Sequence, residues 1–192
     1  MSGKRHIIAG FLIVLAGALV ILMVFYVSGR RRESDRQAPM ATAYPGYTAA
    51  DTMRRVVHLY FSEPDLSGLT AETRELPDPG NQAEFGKNII QALIDGPREG
   101  GERTLPASTV VRDVFITDDG IAYVDFEDTV TKDHPGGVQM EFITIYSVVD
   151  SLVLNLEEIS AVKLLIGGRE SETLAGHMDL RFPFKADILL IK

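Results

Sequence analysis

The chain has 192 residues, 45% of them hydrophobic and 24% charged, which suits one ordinary globular domain with an appendage. It contains no Cys, and this excludes disulfides, thiolate metal sites, cysteine nucleophiles and the lipidated cysteine of a bacterial lipoprotein. Residues 1–50 carry six Lys/Arg and two Asp/Glu, so residues 51–192 carry 13 and 25, a net charge of −12 that excludes nucleic-acid binding by counterion release.

After a short N-terminal segment, residues 1–6, Ile7 to Val27 is an uncharged run of 21 residues. As a helix it is about 31 Å long, enough to cross a bilayer core, so a transmembrane helix with lipid as its partner is expected over 7–27. A cleaved signal peptide would have an apolar region of about 7–15 residues and a small-residue cleavage site close behind. Here Arg30-Arg31-Arg32 follows instead. Lys4 and Arg5 precede the span while Arg30, Arg31, Arg32 and Arg36 follow it, a count that favours a cytoplasmic C-terminal side. Residues 28–52 lack any hydrophobic period and read as a linker.

A folded domain is expected over 53–184, with 185–192 as a tail. Arg54 to Ser62 alternates Val57, Leu59 and Phe61 against Val56, His58 and Tyr60, the pattern of a strand with one apolar face. Leu69–Leu76 is a weaker strand at an edge, where Glu72, Arg74 and Glu75 discourage pairing with other chains. Asn81 with Glu84 three residues on marks a helix start. Phe85, Ile89, Ala92 and Leu93 form its stripe, and Gly96-Pro97 its stop. A charged, Gly-rich loop, Arg98–Arg103, then leads through Leu105-Pro106 into the centre of the domain.

That centre is Thr109–Glu127, two runs rich in Val, Ile, Phe and Tyr around Asp118-Asp119-Gly120. With Asp119-Gly120 as a two-residue loop, Ile116 faces Tyr123, Val114 faces Asp125 and Arg112 faces Glu127. Val111, Phe115, Ala122, Val124 and Phe126 then share one face that must be covered. A second helix, 138–156, supplies a cover through Phe142, Ile145, Tyr146, Val149, Leu152, Val153 and Leu156. Ile143, Val148 and Leu154 fall off that stripe and form a candidate docking patch. Ala161–Ile166 is a buried-type strand running into Gly167-Gly168, Thr173–Phe184 a crossing segment with Phe182 and Phe184 as aromatic anchors, and Ile188–Ile191 a short added strand. The fold class is α+β: a small, mainly antiparallel sheet with a central hairpin, covered on one face by two helices.

The order of Ala92-Leu93-Ile94-Asp95-Gly96-Pro97, Leu105-Pro106, Val124-Asp125-Phe126, a long apolar helix, Gly167-Gly168 and Gly176-His177-Met178-Asp179-Leu180 resembles the GerMN domain family. That family is named after a sporulation and spore-germination protein of endospore-forming bacteria, and the likeness covers about His58 to Leu180. Glu127 departs from the Ser or Thr that members often carry after the Val-Asp-Phe strand, and only one copy of the domain is present. The resemblance implies a non-enzymatic module outside the cytoplasm that takes part in envelope assembly or cell-wall contact. It thus implies a single-pass protein of the cytoplasmic membrane with its domain on the far side, against the Lys/Arg count.

No residue pattern adds catalytic chemistry. His58, His134 and His177 lack His-Glu-Xaa-Xaa-His spacing, and Asp128–Asp133 lacks the order of an EF-hand, so neither metal nor cofactor is expected. Ser108, Ser147 and Ser160 have no nucleophile-elbow context. Asp125, between Val124 and Phe126, points to the solvent face of its strand. The candidate interaction surface is Ile143, Val148, Leu154, Tyr123 and Asp125. Its partners are envelope proteins or a second copy of the chain. The alternative is cell-wall glycan stacked on Tyr60, Tyr123 or Tyr146, and a third reading is a hydrolase built from converging carboxylates.

Overall fold

The computed structural model describes residues 53–192. The expected transmembrane helix 7–27 and the linker 28–52 lie outside the described residues. Among those described, no helix is long and apolar enough to cross a membrane. The chain runs β1 (Arg54–Ser62), β2 (Leu69–Pro77), α1 (Gln82–Asp95), β3 (Val111–Ile116), β4 (Ile121–Phe126), α2 (Thr129–Lys132), α3 (Val138–Val153), β5 (Ala161–Ile166), β6 (Arg169–Glu170) and a 3-10 turn at Ile188–Leu190.

The α+β class stands, but the single sheet becomes two: β1–β2, and β3–β4–β5–β6. Within the second sheet β4 and β5 are parallel, because the chain between them carries α2 and α3 across and returns in the same direction. Helix α3 lies against both β1 and β5, and α1 packs on β3 and on α3. Phe61, Phe85, Ile89, Val124, Phe126 and Leu152 are fully enclosed where these elements meet. At ~1.5–3 kcal/mol for each large apolar side chain buried, this junction is the main stabilising feature.

The hairpin turns one residue differently from expectation. Thr117 and Ile121 close a three-residue loop, with Thr117 N–H donating to the Ile121 carbonyl and Gly120 N–H to the Thr117 carbonyl. Gly120 has φ +79°, so the loop is a type I turn followed by a left-handed residue, which places Ile116 opposite Ala122 rather than Tyr123. A bulge then inserts Arg112 between the pairs Val111–Phe126 and Asp113–Asp125. The extra residue shifts the alternation, so Val111 and Val114 point inward and Phe115 faces outward, 53% exposed. The placement of Phe115 in the core is therefore corrected.

Two further expectations change. Glu72 and Arg74 are buried, not edge charges: they pair with each other, while the Arg74 guanidinium donates to the carbonyls of Ala92 (2.9 Å) and Gly96 (2.6 Å) at the end of α1. The glutamate's other oxygen accepts the N–H groups of Arg98 and Glu99. Burial acts to raise the Glu72 carboxyl, but Arg74 and those two donors outweigh it and hold it below its ordinary range. The tail forms the 3-10 turn and a single parallel bridge, Leu69–Ile191, instead of a strand.

Candidate functional site

Helix α3 carries Thr144, Ser147 and Ser151 on one side, and Asn155 follows just past its end at the same 3-4-4 spacing. Ser147, Ser151 and Asn155 lie along the edge of β1 that β2 leaves free, while Thr144 donates to the Thr104 carbonyl (2.7 Å). Asn155 accepts from His58 N–H (2.9 Å) and donates to the His58 carbonyl (2.7 Å). Ser151 accepts from Tyr60 N–H (3.0 Å), and Ser147 donates to the Tyr60 carbonyl (2.5 Å). Ser62 completes the edge by exchanging both backbone bonds with Glu102. A helix thus takes the place of a strand, and β1 is closed to strand addition.

The same helix holds the chain's closing loop. Glu141 is fully buried; one carboxylate oxygen accepts the N–H groups of Leu174 (3.0 Å) and Ala175 (2.8 Å), the other His177 N–H (2.9 Å), with His177 Nδ1 at 3.0 Å. Burial acts to raise this carboxyl, but backbone donors from Ala175, Met178 and His177 and the His177 ring outweigh it and hold it below its ordinary range. Nearby, His134 Nδ1 accepts from Gly136 N–H, so Nε2 carries the proton and faces Thr144 Oγ1 at 3.0 Å. Burial lowers the His134 pKa, with Glu141 opposing, and keeps the ring neutral. The set fastens the loop to α3. Among the described residues no cluster of three or more His, Asp or Glu could hold a metal ion.

The outer face of the four-stranded sheet is different. Phe115, Tyr123 and Lys163 lie side by side across β3, β4 and β5, with Asp113, Asp125 and Leu165 in a second row. Asp125 accepts from Arg112 Nε (2.8 Å) and from Gly168 N–H (2.8 Å). Lys163 is buried, donates to the Arg181 carbonyl and lies 3.6 Å from the Glu170 carboxylate. The β5 side is therefore roofed by the chain around Arg181, while the β3–β4 side presents Phe115, a half-buried Tyr123 and the Arg112–Asp125 pair.

The five residues of the expected interaction surface do not come together. Ile143 and Val148 are buried, because α3 is enclosed by both sheets and has no spare face; Leu154 is 40% exposed past the helix end. Asp125 does sit on the outer face but is covered by Arg112 and the β5–β6 turn, so it is not a solvent-facing acid. Of the stacking tyrosines, Tyr60 is buried and Tyr146 is wedged between Phe142 and Phe184, leaving Tyr123. Of the two aromatic anchors only Phe184 packs on the core, while Phe182 is exposed. The carboxylates for a hydrolase do not converge on Asp125; His58 meets Glu157 and Glu158 only across an open groove of about 460 Å³. Glu141 was missed, although it sits four residues before Ile145 on the apolar stripe, where an acid requires buried donors.

The family model Germane, described as sporulation and spore germination, matches residues 58–172. Among solved structures, a protein designated a lipoprotein from Clostridium perfringens is 24% identical with a TM-score of 0.50, over 69% of this chain and 87% of that one. The tandem GerMN domains of the sporulation protein GerM from Bacillus subtilis are 22% identical with a TM-score of 0.52, over 71% of this chain and 46% of that one. No curated protein matches.

Proposed function

This chain belongs to the Germane family of sporulation and spore-germination domains, and from that premise we propose that it is a non-enzymatic interaction module of the bacterial envelope. It is held to the cytoplasmic membrane by residues 7–27, with residues 53–192 on the outer side. The observation that carries the recognition role is the open β3–β4 face, where the bulge at Arg112 turns Phe115 into solvent beside Tyr123. An exposed aromatic next to a fixed Arg–carboxylate pair is the composition of a protein-binding surface. The likeness to a lipoprotein supports an outward-facing, membrane-held domain, and in a chain without Cys the apolar run supplies the tether.

Flat aromatic surface also suits glycan stacking, and the adjacency of Phe115 and Tyr123 favours cell-wall glycan as the second reading. Full-length chain in detergent is crosslinked to solubilised envelope proteins and, separately, sedimented with purified sacculi, each alongside Phe115→Ser. A discrete crosslinked partner that the variant loses supports the protein-binding role. Phe115-dependent sedimentation with sacculi alone transfers the site to glycan, and identical behaviour of the two chains removes the open face from either role. Protection of residues 53–192 from protease added to cells stripped of outer layers would overturn the location.

A further inference from the structure

One group on α3 serves neither the seam nor the loop. Asp150 is fully buried, yet it fastens the end of the chain: Oδ1 accepts Asp187 N–H at 3.0 Å, and Oδ2 has no hydrogen-bond partner among the described residues. The strap that begins there, Asp187–Lys192, lays Leu190 and Ile191 over the small apolar cluster of Tyr60, Leu69 and Ile143 and ends with Lys192 N–H on the Leu69 carbonyl (2.9 Å). Before it, Phe184 is paired on both backbone groups with Val162, so Lys185 and Ala186 form the natural hinge. The tip is bare, with Ile188 66% and Leu189 91% exposed.

We propose that this C-terminal strap is a proton-controlled latch, held shut when Asp150 is protonated and loosened when it is ionised. A neutral carboxyl keeps its acceptor for Asp187 N–H at little desolvation cost, whereas a carboxylate there lacks solvent and its Oδ2 lacks any donor among the described residues. The titratable groups facing it add no compensation: Asp187 in the strap repels it, and Tyr60 on β1 and Tyr146 on α3 are themselves pushed up, first by burial and then by nearby acids. Burial pushes the Asp150 carboxyl up to about 6, with Asp187 N–H opposing and the Asp187 charge assisting. Lifting the strap rehydrates Asp150 and returns it toward its ordinary value, so ionisation favours the open form. It also takes Leu190 and Ile191 off the cluster of Tyr60, Leu69 and Ile143.

Linkage sets the size of the effect. Moving a carboxyl from 3.8 to about 6 on closure changes the closing equilibrium by about 100-fold in all, of which about tenfold falls between pH 5 and 8. Amide hydrogen exchange on the full-length chain, corrected for intrinsic rates, reads this directly at Asp187 and Lys192, with the Val124 amide as the reference for an intact fold. Protection at the two strap amides is expected to fall about tenfold from pH 5 to 8, and to become independent of pH in Asp150→Asn. Gly68→Ala should lower protection at both pH values, because a Cβ there would stand 2.5 Å from the Leu190 carbonyl oxygen. Strap protection that is flat in the native chain, or a pH step that survives in Asp150→Asn, overturns the latch. A carboxyl-carbon NMR titration of Asp150 with its midpoint at its ordinary value overturns it as well, and needs no variant to fold.

Discussion

The β1–β2 sheet and the β3–β6 sheet each turn one row of apolar side chains inward, but they differ in what they leave outside. In the first, the free edge of β1 is bonded by Ser147, Ser151, Asn155 and Glu102, and its far end lies under the strap. In the second, β5 is covered by β6 and Phe184 while the β3–β4 side keeps Phe115 in solvent. Closure is costly to specify, because every backbone donor and acceptor taken from water must be matched by a placed side chain. Open surface needs no such matching, so it is where recognition can change without unfolding the domain.

The contrast is tested most severely at Glu141. Replacing it by Ala leaves the backbone N–H groups of Leu174, Ala175 and His177 without their carboxylate and should cost ~3–4 kcal/mol in denaturant unfolding, with loop 173–180 the first to lose protection from exchange. At the seam, Asn155→Ala strips both bonds from His58 and should cost ~2 kcal/mol by the same measurement. A loss as small as that of a surface substitution would mean water serves that edge equally well.

Asp150→Asn should act in the opposite direction. A carboxyl whose folded value is raised contributes stability that is fully present below its ordinary value and is lost as pH rises through about 6. The variant is therefore expected to gain ~3 kcal/mol at pH 7.5 and little near pH 4, measured by urea unfolding. Glu141 and Glu72 have the reverse sign: both are held low, so their contribution is present above the ordinary carboxylate range and lost as pH falls through their depressed values. Acid unfolding of the native chain should begin with them.

The smallest expected effect belongs to the open face. Phe115→Ser should change stability by less than ~0.5 kcal/mol while abolishing partner binding. A large loss of stability would show that the face is covered after all.

Much of this was legible along the chain. The 3-4 spacing from Phe142 to Leu156 specified α3, Asn81 marked the start of α1 by accepting Glu84 N–H at 3.0 Å, and Val124 and Phe126 went to the core. The polar positions Thr144, Ser147, Ser151 and Asn155 are equally periodic, but their spacing does not say what they bond. The partners of Ser151 and Asn155 lie in β1, some ninety residues earlier. Strict alternation puts Phe115 inside, but alternation holds only while no residue is inserted, and nothing local to Arg112 announces the bulge.

Sequence alone determined the α+β class, both long helices, the hairpin and the family, since these rest on spacings of a few residues and on motif order. Tertiary structure alone decided that the sheet is divided, that Ile143, Val148 and Asp150 are enclosed, and that Phe115 is not. Those outcomes depend on which distant element arrives to cover a given face. No periodicity within one segment carries that information, because burial is a property of the contact between segments.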